Sequence, residues 1–149
     1  NYLQTGKYNP LPSKATIANA MDVGDPSNFA RIYDLYHGSY EKIKSLISGA
    51  TYSDSQIRTT MKDCYDKHGS VLDPHGACGY QALVDLLEDG ETGVFCETAH
   101  PAKFKETVEN AINAEIKIPE RLAEFMKGTK KSVPMTNQFD DFKAFLMKE

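Results

Sequence analysis

No stretch of this chain approaches the ~18 consecutive apolar residues of a membrane-spanning helix, so no membrane partner is expected. Excess positive charge is missing as well. The net charge is −4, which gives no electrostatic reason to expect nucleic acid. The first residues lack the charged-then-apolar pattern of a secretory leader, and the chain opens on Asn1 rather than Met, which reads as a trimmed start. Cysteine is scarce. Cys64, Cys78 and Cys96 are odd in number, each lies in an apolar pattern, and no Cys-x-x-Cys pair occurs. They read as reduced thiols, which predicts a reducing compartment, the cytoplasm. Strand signals are the last scarcity: one stretch reads clearly as a strand, with weaker alternatives at 16–18 and 133–135.

Helix signals, by contrast, are frequent. The 149 residues allow one domain with a real core or part of a larger one. Residues 1–24 carry Gly6, Pro10, Pro12 and Ser13 and read as loop or linker, with an undecided apolar stretch from Thr16 to Val23. Residues 25–69 read as helices. Asp25-Pro26 looks like an N-cap followed by proline, ahead of Phe29, Ile32, Tyr33 and Tyr36 on one face. Ser39 starts a second helix that turns Ile43, Leu46 and Ile47 inward. Ser53 and Gln56 have capping-box spacing, Ile57, Met61, Cys64 and His68 follow at steps of three or four, and Gly69 stands where a C-cap glycine belongs.

Residues 70–116 read as helix, strand, helix. Asp73-Pro74 repeats the cap-plus-proline signature before Ala77, Tyr80, Leu83, Val84, Leu86 and Leu87, which predicts a helix buried on more than one side. Val94, Phe95 and Cys96 then suit a short strand buried on both faces. Pro101 opens a helix whose stripe is Phe104, Val108, Ile112 and Ile116. This order predicts a helix-rich α/β layer with a parallel strand. Residues 117–149 read as C-terminal helices, one with Leu122, Phe125 and Met126 and one with Phe139, Phe142, Phe145 and Leu146. A lone strand needs sheet partners that this chain barely supplies, which points to a segment of a larger α/β protein.

The chemistry concentrates at the polar corner after the strand, where open α/β sheets place ligands. Thr98 and His100 sit there, and Asp73 and His75 begin the helix that should flank it. Lys103, with Lys105 close by, falls in the first turn of the helix opened by Pro101. The helix dipole disfavours cations there by about 0.3–1 kcal/mol, so an anion nearby would explain them. His75, Cys78, Cys96 and His100 do not have zinc-site spacing, and no metal is expected. Cys78 and Cys96 have apolar neighbours, unlike an activated thiolate. Gly76 and Gly79 follow Asp73, whose charge would repel a phosphate, so they read as helix-packing glycines.

Four blocks carry a resemblance: Asn19-Ala-Met-Asp-Val23, Asp25-Pro-Ser-Asn28, Asp73-Pro-His-Gly-Ala77 with Gly79-Tyr80, and Thr98-Ala-His-Pro-Ala-Lys-Phe104. In order and spacing they resemble the threonine synthase family, the longer bacterial and fungal type. The resemblance implies a pyridoxal-phosphate lyase of the tryptophan-synthase-like fold (fold type II) that converts O-phosphohomoserine and water to threonine and phosphate. It implies that Thr98 is the cofactor-binding residue at the pyridine nitrogen. It also implies that Asp73 to His75 lie beside the cofactor. Topology adds that residues 73–76 and 98–100 converge if both helices pack on the strand, so Asp73, His75 and His100, with Lys103 as an anion-binding candidate, are the expected pocket residues. The family's Schiff-base lysine, in a Phe-Lys-Asp setting, and its Gly-Asn-Phe-Gly phosphate cup do not occur here. Both come earlier in the family order, so no catalytic residue is assigned within this chain. The chain is expected to be the family's C-terminal part, inactive alone and not binding cofactor by itself, with the missing N-terminal part as its partner. The competing expectations are a free-standing helical binding or regulatory module without chemistry, and a structural piece that covers a sheet edge.

Overall fold

The computed structural model describes residues 1–19 and 22–148 and divides them into two units, Asn1–Lys117 and Ile118–Glu149. Six α-helices lie in the first: α1 (Tyr2–Thr5), α2 (Phe29–Leu35), α3 (Tyr40–Leu46), α4 (Asp54–His68), α5 (Pro74–Leu86) and α6 (Lys105–Ile112).

The longest helix, α4, follows its sequence signals closely. Ser53 accepts from the Gln56 amide and the Gln56 side chain accepts from the Ser53 amide, so two donors at the helix start are satisfied reciprocally. Gly69 ends the helix at φ 65°, a left-handed conformation that glycine adopts without a Cβ penalty. Along one face Ile57, Met61 and Cys64 are buried, while His68 is exposed. Helix α4 packs on both α5 and α6. The core between them also holds Leu72, Ala77, Val108 and Ile112. Each fully buried Met, Val or Ile side chain there contributes about 1.5–3 kcal/mol by leaving water.

The N-terminal stretch is mostly irregular, as its Pro and Gly content predicts, but it is tied down. Tyr40 donates to the Leu3 carbonyl at 2.9 Å, and the Tyr8 ring stacks on Phe29 at 4.2 Å. Asp25 does not cap a helix. Its carboxylate accepts from the Tyr8 hydroxyl at 2.8 Å, and α2 starts only after a turn at Ser27–Asn28. Helix α3 is capped by Ser39 as expected, and Ile43 is buried, but Leu46 is exposed. The Thr16–Val23 stretch lies partly outside the described residues, since Ala20 and Met21 are not described. Its 16–18 portion is not a strand.

Two expectations are overturned between α4 and α6. Gly93–Glu97 forms no strand, and no strand occurs among the described residues, residues 133–135 included. Val94 is 87% exposed, whereas Phe95 turns in and meets Tyr80 edge-on at 5.8 Å. One side of the segment is covered and the other is not. A strand must pair its backbone groups with neighbours, and none occurs among the described residues. Similarly, α5 is not buried all round: its first turn is buried, but Val84, Leu86 and Leu87 are exposed.

Pro101 opens a 3-10 turn, Pro101–Phe104, and α6 begins only at Lys105. Of the expected stripe, Val108 and Ile112 are buried, and Phe104 and Ile116 flank the helix half-buried. Asn113 ends α6 at φ 56°.

The second unit holds α7 (Glu120–Met126) and α8 (Phe139–Leu146), both where hydrophobic spacing predicts them. Leu122 is half-buried. Phe125, Met126, Phe139, Phe142, Phe145 and Leu146 are exposed. Among the described residues no helix is long and apolar enough to cross a membrane.

Candidate functional site

The start of α5 organises the site. Asp73 is the N-cap residue and is fully buried. Its Oδ1 accepts from the His75 amide at 2.6 Å and from the Gly76 amide at 3.4 Å, satisfying donors that a helix start leaves free. The same oxygen lies 2.8 Å from His75 Nδ1. His75 Nε2 lies 3.1 Å from the Ala18 carbonyl. Both partners are acceptors, so His75 makes both bonds only as the imidazolium. The ring also packs against Phe104 at 5.1 Å between centroids. His75 thus links three segments: the loop at 16–18, the start of α5, and the 3-10 turn before α6.

The loop at 16–18 has its own supports. Thr16 donates from its amide and its hydroxyl to Asp22, at 2.8 and 2.7 Å. The Ile17 amide donates to Asp54 at the start of α4, 3.3 Å away. These bonds hold the Ala18 carbonyl in place for His75.

Glu97 was not among the sequence-predicted site residues, yet it closes the cluster. Its Oε1 accepts from the Asp73 amide at 2.7 Å. The residue as a whole is exposed, but its carboxyl group turns in over Gly76. Burial, and then the neighbouring Asp73 carboxylate, push the Glu97 carboxyl up to about 7, against the pull of the Asp73 amide and His75. No local signal marks it: it stands just before the block that begins at Thr98, and only the contact with the distant Asp73 amide gives it a role.

The other predicted residues are placed as follows. Thr98 is exposed, and among the described residues its hydroxyl makes no hydrogen bond. His100 caps the 3-10 turn, its Nδ1 accepting from the Ala102 amide at 3.1 Å, which fixes the tautomer with hydrogen on Nε2. His100 also lines a cavity of about 390 Å³ with Tyr65, Val71, Pro101 and Lys117, apart from the Asp73 cluster. Asp73 and His75 are therefore brought together, and His100 belongs to a separate hollow. Lys103 is exposed in the 3-10 turn, not in a helical first turn, so the dipole argument for an anion does not apply to it. Lys105 does begin a helix, but it is paired with Glu109, whose carboxyl is held below its ordinary value chiefly by that bond.

Among the described residues no group of three or more His, Cys, Asp or Glu side chains is arranged to hold a metal ion. Burial pushes the Cys64 and Cys78 thiols up, the Asp73 charge adding to the effect on Cys78, which is opposite to what a nucleophilic thiolate needs.

Residues 76–146 match the family model described as threonine synthase, C-terminal. A threonine synthase of Haemophilus influenzae is 40% identical over 147 residues, covering 99% of this chain and 34% of that protein. One of Serratia marcescens is 37% identical over 98% of this chain. In three dimensions the chain superposes on the crystal structure of threonine synthase from Escherichia coli with a TM-score of 0.84 and 34% identity, over 98% of this chain and 34% of that one. A pyridoxal-phosphate-bound threonine synthase of Brucella melitensis shares the fold, at a TM-score of 0.75 and 22% identity. The chain spans about a third of the length of these relatives. The family resemblance carried by the four sequence blocks is borne out along nearly the whole chain.

Proposed function

We propose that this chain, which corresponds to the C-terminal third of threonine synthases, serves in a protein that converts O-phosphohomoserine and water to threonine and phosphate. The observation that carries the reading is the joint match in sequence and in three dimensions over almost every residue of the chain. The exposed apolar residues support it. Val84, Leu86, Leu87 and Val94 leave one side of α5 and of the 93–97 segment uncovered, as expected where a larger protein continues the core. The missing N-terminal part is the partner that would cover them.

The residues present fit one end of a pyridoxal phosphate molecule. Thr98 offers a neutral hydroxyl with no competing partner among the described residues, beside an anchored neighbour, which suits the pyridine nitrogen. A lysine anchor is not offered at this corner: Lys103 is out in solvent and Lys105 is spent on Glu109. The cofactor, when bound, supplies an electron sink for loss of phosphate at Cγ and addition of water at Cβ. Thr98 orients the ring and, being neutral, does not hold a proton on its nitrogen as a carboxylate would. Asp73 and His75 fix the start of α5 and the 16–18 loop as one wall of the pocket. His100 holds the chain direction after Thr98 through the Ala102 amide. Lys103, free of partners among the described residues, is the candidate for substrate phosphate.

Incubating the complete protein with O-phosphohomoserine tests the reading. Threonine and phosphate should appear in equal amounts. Release of phosphate without threonine, or no turnover of this substrate, would overturn it.

A further inference from the structure

The cluster at the start of α5 contains a carboxyl group with no role in the reading above. Asp73 is fully buried, and while its Oδ1 takes several bonds, its Oδ2 has no hydrogen-bond partner among the described residues. A buried oxygen left in that state is costly. Glu97 reaches into this spot from the corner, with Oε1 on the Asp73 amide and its carboxyl turned in over Gly76. The space it occupies exists because residue 76 is glycine. A Cβ there would lie 1.6 Å from Glu97 Oε2 and 2.4 Å from Cδ.

We propose that Glu97 is a positioning residue, whose carboxyl group fastens the Thr98–His100 corner to the start of α5 through the Asp73 amide, with Gly76 left bare to admit it. The proposal rests on the reading of Thr98 as the residue that meets the cofactor ring. Glu97 immediately precedes Thr98 in the chain, so a bond that fixes residue 97 limits where the Thr98 hydroxyl can go. Among the described residues the segment pairs with no strand, and Glu97 and the packing of Phe95 are two contacts that tie it to α5.

The clamp works best when Glu97 carries a proton. A protonated carboxyl still accepts the Asp73 amide with one oxygen and sets no second negative charge beside the Asp73 side chain. The groups that face it are Asp73 and His75 at the start of α5 and the Cys64 thiol of α4. Loss of that proton puts two carboxylates side by side in a poorly hydrated place and loosens the corner.

The test uses the complete protein with Glu97→Ala and Glu97→Gln, measured in two ways. The first is kcat and KM across the pH range. The second, independent of activity, is amide hydrogen exchange over residues 70–76 and 96–101. Glu97→Ala should lower kcat about tenfold, the effect of one lost hydrogen bond, with a smaller change in KM, and should speed exchange at the Asp73 amide. Glu97→Gln has the same two hydrogen-bonding functions as the protonated acid. It should keep near wild-type kcat and slow exchange, and abolish the fall in activity that the wild type shows as Glu97 ionises. Unchanged kcat in Glu97→Ala, unchanged exchange at Asp73, or Glu97→Gln as impaired as Glu97→Ala would each overturn the proposal. If the wild type makes no threonine, the functional reading fails, and the exchange data still decide whether Glu97 clamps the corner. If Glu97→Ala does not fold, Glu97→Gln and its pH profile decide.

Discussion

The Glu97 carboxyl lies so close over Gly76 that a methyl group at position 76 would occupy the same space. Gly76→Ala must therefore expel Glu97 from the Asp73 amide. Alanine at a helical position gains about 1 kcal/mol over glycine. Leaving the buried Asp73 amide unpaired costs about 1–3 kcal/mol, so the loss wins by roughly 1 kcal/mol. The effect should not add to that of Glu97→Ala, because both remove the same bond. Thermal unfolding of the two single variants and the double variant checks this. Additive losses would show that Gly76 and Glu97 are not coupled.

The pH dependence of stability follows from two glutamates with opposite shifts. Glu97 is raised from 4.5 to about 7, so its contribution is fully present below 4.5 and is lost as pH rises through about 7. Glu109 is lowered, so its contribution is present above 4.5 and is lost only as pH falls through its depressed value. Denaturant midpoints taken from mildly acidic to mildly alkaline pH should therefore decline across neutrality, and Glu97→Gln should remove that decline. A decline of equal size in Glu97→Gln would assign it to another group.

Two apolar residues that the sequence treats alike should differ sharply. Met61 has no exposed surface and lies among Ile57, Cys64 and Val108 in the core, so Met61→Ala should cost about 2–5 kcal/mol. Leu46 is 70% exposed, so in this fold Leu46→Ala should cost less than about 0.5 kcal/mol. Urea unfolding of each variant measures both. In the complete protein, a large loss for Leu46→Ala would reveal that another part of the protein covers α3.

Local chemistry was the legible part of the sequence. The Ser53–Gln56 box, Gly69 and the Asp73-Pro74 start each involve residues a few positions apart, and the structure forms all three. What depended on distant chain was not legible. Val94, Phe95 and Cys96 have strand composition, but a strand exists only through its neighbours, and the segment remains irregular here. The leucines at the end of α5 are apolar for a surface that this chain does not bury by itself. Asp25 has the look of a cap, yet Tyr8, 17 residues away, takes its carboxylate. At the site, Asp73 and His75 could be named from their place before a helix. Glu97 could not, because its importance comes from a contact with the Asp73 amide 24 residues earlier. Pro101 suggested a single helix from its own position, whereas the chain first makes a 3-10 turn, which removes Lys103 from any helical first turn.

The most direct test of the account is the rate of threonine formation by the complete protein with Thr98→Ala and Thr98→Ser. Serine keeps the hydroxyl and should retain most of kcat. Alanine removes it, and loss of one bond to the ring nitrogen should lower kcat by about 10- to 100-fold while the unfolding midpoint stays near wild type. Equal rates for wild type and Thr98→Ala would contradict the account, since the corner held by Glu97 would then not face the reaction.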